Sequence, residues 1–553
     1  MTPYGNIKER MEFIKSHEFF NTPIENLKTW FEREKNTEPQ YLSYSDFMIF
    51  FNSGSRKEYE KKYFDKRTRL GVSAMLYLLY GDKQYLDDAV EVIWSICSEH
   101  CWTLPAHCKN VCGGKYYNEL DLFASETGYA LAEIYHLLGN ALPENIKSII
   151  KSELEKRVFS SFENGSFWWE NVYSNWASVC AGSVGCTYLL MDPERFNKVK
   201  DRINKVIKQY VDGFCDDGCT TEGVGYWGYG FSFYIFYAET LKRVTGEDIL
   251  HSDKLHLIIN FPTRMHLRKN YTVSFSDASR TTTFTNLGLL SYLKSEYPSF
   301  IMPPNVALPN VLTRDGKLLY IIKFFTLANP EHYTKQNEIS YGFDFFPDAG
   351  WYISKKPAYS FAAKGGHNDE EHNHNDVGSF MLVTDDGFTL TDLGSMEYTR
   401  ATFTPSLRYV GQTEASSLSH SVPIYKGQPQ LFGKDYKATV IEANENNFTL
   451  EIQGAYGKNL PRITRSFELL ENKIILRDNY EEIGEGTVER FALEKEPIVT
   501  REGIRVGSAL IKSKAQPKIS SKTYSNHSAQ PETFWFADYP VTEKSFELEI
   551  TVK

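Results

Sequence analysis

The chain has 553 residues, 41% of them hydrophobic and 24% charged, with a net charge of −10. That length exceeds one ordinary core and predicts two large domains. The acidic balance argues against nucleic acid as the main partner, since phosphate binding calls for a basic excess. No run approaches the roughly eighteen apolar residues of a membrane span.

The opening residues, MTPYGNIKERMEFIKSHEFF, lack the apolar core and small-residue cleavage site of a secretory signal, so a cytoplasmic location is expected. From about residue 65 to about 330 apolar residues recur at helical spacing. In LDLFASETGYALAEIYHLL, for example, Leu120, Phe123, Ala130, Leu131, Ile134, Leu137 and Leu138 share one broad stripe. Similar stripes run through TRLGVSAMLYLLYG, YLDDAVEVIWSICSEH and FYIFYAETLKRVTG, several ending at Gly or Asp/Pro stop signals. Helical hairpins joined by short turns predict a stacked or closed helical array, and the lack of a strict repeat argues against a solenoid.

The cysteines are Cys97, Cys101, Cys108, Cys112, Cys180, Cys186, Cys215 and Cys219. Their CxxxC spacings beside His100 and His107 would permit zinc. A helical core gives the same spacing, however, and the tighter CxxC knuckle is absent, so reduced core thiols are expected.

Two segments of the helical half stand out. WWENVYSNWASVCAG sets Asn175 between aromatic residues at the head of a small-residue helix. DDGCTTEGVGYWGYGFSFY places Glu222, Tyr226 and Tyr229 among glycines. A glycine-rich turn that delivers tyrosines to a helix start suits close approach to a polymer, although packing alone accounts for either tyrosine equally well. Neither GxG follows a strand, so nucleotide binding is not expected.

After about residue 340 the period changes to two: Phe448, Leu450 and Ile452 alternate with polar residues, as do Phe546, Leu548, Ile550 and Val552. The change falls within TKQNEISYGFDFFPDAG, which predicts a helical domain over 1–335 and an antiparallel β-sandwich over 336–553.

The densest group of potential ligands and bases is GGHNDEEHNHNDVGSF. It holds His367, His372, His374 and Asp376, with His372 and His374 on one side if the segment is extended. A lone loop histidine is ordinarily just solvated; three within eight residues, flanked by Asn373 and Asn375, favour function. Downstream, TLTDLGS carries Asp392 and SLSHSVPIY carries His420. Two histidines and one aspartate from separate β segments would make a three-ligand site for zinc or manganese.

HNHNDVGSF followed by LTDLGS and SHSVPIY, with NWASVCAG and DGCTTEGVGYWGYG before them, resembles the signatures of heparinase II/III-like polysaccharide lyases, from roughly residue 70 to the end. The resemblance implies an α+β multidomain fold, an N-terminal incomplete (α/α) toroid followed by a C-terminal antiparallel β-sandwich. It also implies a cleft at their junction and β-elimination of an acidic, uronic-acid-containing polysaccharide or oligosaccharide. Carried over by motif, Asn175 would contact the substrate carboxylate, and Tyr226 or Tyr229 would be the acid/base. His372 would lie beside the reacting sugar, while His374, Asp392 and His420 would hold a structural divalent metal. Glu222, Trp176, His107 and Arg408 are the expected substrate contacts.

These residue types suit elimination. The C5 proton of a uronate is too weakly acidic while the neighbouring carboxylate keeps its charge. An amide donor with a histidine can neutralise that carboxylate, worth a few kcal/mol per donor. A tyrosinate can then take the proton, provided nearby positive charge lowers the phenol below its usual pKa of about 10. Two rivals remain: a hydrolase drawing a carboxylate pair from Glu222, Asp216, Asp217 and Asp277, and a carbohydrate-binding protein without catalysis.

Overall fold

The computed structural model describes residues 6–108, 119–310, 317–333, 340–399 and 401–553. The expected domain boundary at 335/336 and Cys112 lie outside these residues.

Helices begin earlier than the periodicity suggested, at Ile7–Ser16 and Asn21–Glu34. The centre of the helical part is Asn175–Met191, which packs on Leu122–Leu138, Pro193–Asp212 and Ser232–Thr245. Its sequence, NWASVCAGSVGCTYLLM, is buried nearly throughout because small side chains admit neighbours from several sides. A Cβ at Gly185 would stand 2.5 Å from the Tyr237 ring, so only glycine permits that approach. The late helix Leu318–Leu327 returns to pack on Lys57–Tyr80, closing the array into an incomplete (α/α) toroid. A buried cation pins the ring from within: Lys323 Nζ lies 3.0 Å from Glu133 and 3.2 Å from Glu239. Among the described residues no helix is long and apolar enough to cross a membrane.

The C-terminal part is antiparallel. A five-stranded sheet runs in the order Gly342–Phe346, Trp351–Lys355, Ser360–Lys364, Phe380–Thr384, Gly387–Leu390. Its inner strands are buried on both faces. Trp351, Ile353, Ala362 and Met381 join the core of the toroid, while Tyr352, Phe361 and Phe380 face Phe448, Phe467 and Leu476 of an eight-stranded sheet. Strands such as Ile463–Leu469 keep the clean alternation expected of a sheet with one solvated face. Arg465, paired with Asp478 and Glu489, fills the buried polar centre of this half. The two halves lock through Arg264 to Asp344, Arg268 to Asp385, and Arg280 to Glu494 and Glu532.

Candidate active site

A cleft of about 730 Å³ opens where the halves meet. Its walls take Phe64, Phe123, Tyr226, Tyr229 and Lys317 from the toroid, and Ser395, Glu397, Tyr398 and His527 from the sheet part.

Asn175 is the first residue of its helix and only 2% exposed. Its backbone N–H donates to Glu222 Oε2 at 3.2 Å and its Nδ2 to Oε1 at 2.7 Å, so the two side chains form one unit. Asn175 Nδ2 carries a second N–H beyond the one given to Glu222. Burial raises the Glu222 carboxyl above its usual range, against the lowering influence of His372 and Asn175.

The tyrosines part company. Val224–Tyr226 is followed by a π-turn, Trp227–Phe231, and Tyr229 lies within that turn. Tyr226 stacks on His372, with centroids 4.0 Å apart and planes inclined 17°, and its hydroxyl lies 2.5 Å from that of Tyr398. Tyr229 instead donates to Glu126, and Lys317 Nζ sits 3.6 Å from its ring centroid. Both phenols are pushed well above their usual pKa by burial, with added help from Tyr398 and Asp277 for Tyr226 and from Glu126 for Tyr229. The expectation of a lowered phenol therefore fails at rest: burial first, then acidic neighbours, hold both phenols up.

His372 and His374 share no extended strand. His372 turns through a left-handed backbone at φ +55°, yet both rings reach Asp277. His372 Nδ1 lies 3.2 Å from Asp277 Oδ2 and His374 Nε2 lies 3.0 Å from Oδ1. On its other edge His372 Nε2 is 3.6 Å from Glu222 Oε1. Burial opposes charge on His372, but the bond to Asp277 and the nearness of Glu222 prevail and raise its pKa.

His374, Asp392 and His420 are fully buried and each offers a ligand atom within 4.8 Å of the others. His374 Nδ1 is buried without a hydrogen-bond partner. His420 Nε2 is 3.0 Å from the Glu414 carbonyl, to which it can only donate, and its Nδ1 lies 2.9 Å from Asp392 Oδ2, so that nitrogen either donates a proton to Asp392 or turns a lone pair to a shared cation. The donor set therefore fits a divalent metal with N/O preference.

The other expected contacts sit around this centre. Arg408 gives its donors to Asp277 Oδ1 (2.9 Å) and to the backbone carbonyls of His372 (3.2 Å), Asn373 (3.0 Å) and Thr402 (3.1 Å). His107 is held by Asp121 at 2.7 Å, stacks on Phe123 and meets Trp176, which in turn meets the exposed Trp168, so an aromatic strip leads away from the cleft wall. Asp216 and Asp217 lie at an interdomain contact with Asp348, apart from Glu222 and Asp277. Those last two flank one imidazole on opposite edges, which leaves no gap between them for a sugar. Cys97, Cys101 and Cys108 are buried and form no metal-ligand group among the described residues.

Two residues escaped the sequence. Tyr398 carries no motif of its own, and Asp277 was weighed only as half of a hydrolytic pair; their partners stand 172 and 95 residues away.

The architecture is that of solved polysaccharide lyases. Heparinase III shares 14% identity over 99% of this chain and 92% of its own, with a TM-score of 0.60. Heparan sulfate lyase HepC from Pedobacter heparinus shares 14% over 100% and 91%, at 0.54. Chondroitin AC lyase from Streptomyces coelicolor A3, solved with chondroitin sulphate, shares 9% over 100% and 83%, at 0.57. Likeness at such identities is likeness of fold. No protein-family model and no curated protein matches the chain.

Proposed function

We propose that this chain is a polysaccharide lyase that cleaves uronic-acid-containing glycans by β-elimination in the cleft between toroid and sheets. The observation that carries the reading is the convergence of Asn175–Glu222, His372 and Tyr226, the last of which lines the cleft. Three solved proteins with this fold bear the names of glycosaminoglycan lyases.

In this mechanism the free N–H of Asn175 and the charged His372 neutralise the substrate carboxylate and hold the enolate-like charge that develops beside it. Tyr226 takes the C5 proton and returns it to the departing O4. Because burial keeps the phenol neutral at rest, its own proton must leave first. The Tyr398 hydroxyl, 2.5 Å away, accepts it while giving its own proton to solvent water, which carries it off as hydronium and leaves Tyr226 as the phenolate. General acid–base transfer of this kind contributes about 10²–10⁴-fold.

His374, Asp392 and His420 would hold a divalent metal, zinc or manganese, which when bound would supply a fixed point for the loop that bears His372. Its role is structural, since the ligands are fully buried.

A panel of uronate glycans, read by ultraviolet absorbance, tests the activity. A lyase leaves a conjugated C4=C5 double bond, whereas a hydrolase releases sugar without absorbance. Reducing ends without absorbance would replace the proposal with the hydrolase. Elemental analysis of active protein tests the metal, and activity with none bound would remove it.

A further inference from the structure

Asp277 belongs to the toroid, in the stretch between the short strand Tyr271–Thr272 and the helix Leu287–Glu296, yet it reaches into the sheet part. Only 6% exposed, it accepts from three donors there: His372 on Oδ2, and His374 and Arg408 on Oδ1. Several features hold it in place. Ser276, just before it, takes a left-handed φ of +62°, as His372 does at +55° on the opposite side of the contact. Left-handed backbone at residues other than glycine is strained and survives only where the surroundings over-determine it. Beyond Asp277, the Ala278 carbonyl accepts from Ser395 N–H at 2.9 Å. A Cβ at Gly394 would stand 2.3 Å from that carbonyl oxygen, so the two backbones touch where only glycine fits.

An aspartate pinned between two imidazoles dictates which nitrogen of each carries hydrogen. Asp277 accepts only, so His372 must offer Nδ1–H and His374 must offer Nε2–H. The remaining nitrogens are then lone pairs or donors facing outward: His372 Nε2 towards Glu222 and the substrate, His374 Nδ1 towards Asp392 and His420.

We propose that Asp277 is the positioning residue of this centre, one carboxylate that sets the tautomer and ring orientation of His372 and of His374 together. It thereby couples the cleft histidine to the ligand set of the sheet domain. The part concerning His372 rests on the lyase reading, while the part concerning His374 stands without it. Such carboxylate–histidine pairs fix ligand orientation, and their loss ordinarily lowers metal affinity or activity about 10–100-fold.

The test is Asp277→Asn, which keeps the shape and removes the dual acceptor. Zinc affinity is measured by competition with a chelator, and kcat and KM are measured on the best glycan of the panel. The expected result is a loss of about 10–100-fold in zinc affinity, and a fall in kcat of similar or larger size with KM little changed. The downfield imidazole N–H resonances of the wild type should also disappear. Zinc affinity and kcat both within twofold of wild type, in a folded variant, would overturn the proposal. So would a fall in kcat that merely follows the folded fraction. Should Asp277→Asn fail to fold, Asp277→Glu, which keeps the charge on a longer side chain, carries the same measurements. If no glycan yields an absorbing product even with wild-type enzyme, the lyase reading fails, and the zinc measurement still decides the His374 half.

Discussion

Replacing each tyrosine of the glycine-rich turn by phenylalanine separates chemistry from packing. Tyr226→Phe removes the hydroxyl 2.5 Å from Tyr398 and leaves the stacked ring on His372 intact. The stability cost is one hydroxyl bond to a partner that can still reach cleft water, about 1 kcal/mol. Against a domain stability of about 5–15 kcal/mol, that loss leaves the protein folded. The catalytic cost is of another order. Loss of the acid/base should lower kcat about 10²–10⁴-fold, equivalent to about 3–5 kcal/mol of barrier. KM should change little, because Asn175 and His372 still bind the carboxylate. Tyr229→Phe inverts the pattern: Glu126 loses a donor while buried, which costs about 1–3 kcal/mol of stability, yet turnover should fall less than tenfold. Initial rates by ultraviolet absorbance and melting curves on both variants check this. A dead Tyr229→Phe beside an active Tyr226→Phe would refute the assignment.

Two predictions concern the scaffold. Lys323→Met leaves Glu133 and Glu239 facing each other without the buried cation between them. Urea unfolding should show a loss of about 3–5 kcal/mol, partly recovered by adding Glu133→Gln; an unchanged midpoint would dismiss the pinning role. His266, 2% exposed and held on the Lys269 carbonyl, has its pKa lowered by burial to about 4. The unfolded chain binds a proton there near pH 6.5 and the folded chain does not, so stability is full above that pH. It should drain away as pH falls from 6.5 towards 4, by up to about 3 kcal/mol. In His266→Gln that slope should flatten over the same window, as thermal melts at a series of pH values would reveal.

Periodicity conveyed the fold where burial is one-sided. The alternation of Ile463–Leu469 leaves one face partly to water and reads correctly, whereas Leu122–Leu138 reads as a helix although it is buried nearly all round. The five-stranded sheet reads poorly because Trp351–Lys355 and Ser360–Lys364 are covered on both faces, so period two carries no contrast. Much of the site was legible for a local reason. Asn175, Tyr226 and His372 each sit in a short segment rich in chemistry-bearing residues, and the structure brings these segments together. Asp277 and Tyr398 were illegible because their meaning lies in contacts made across the domain junction. The phenol's raised pKa was illegible too, since desolvation is a property of packing.

The junction also bears on how an acidic chain would take an acidic glycan. Among the described residues the cleft walls present Arg56, Lys57 and Lys317 against Glu60, Asp277 and Glu397. Arg56 is bound to Glu60, and Arg408 and the histidines neutralise Asp277. Charges of both signs thus lie close together, and opposite charges so paired cancel at the range from which a polymer is steered. On the proposed reading, recognition must then be local. One carboxylate at a time is neutralised where Asn175 and His372 meet, and the aromatic strip from Phe123 through His107 to Trp176 and Trp168 offers ring faces to the sugars beside it. Donors aimed at one developing charge act on the transition state more than on the ground state. A general positive field would hold bound polymer and transition state alike, and so would tighten binding without quickening the elimination.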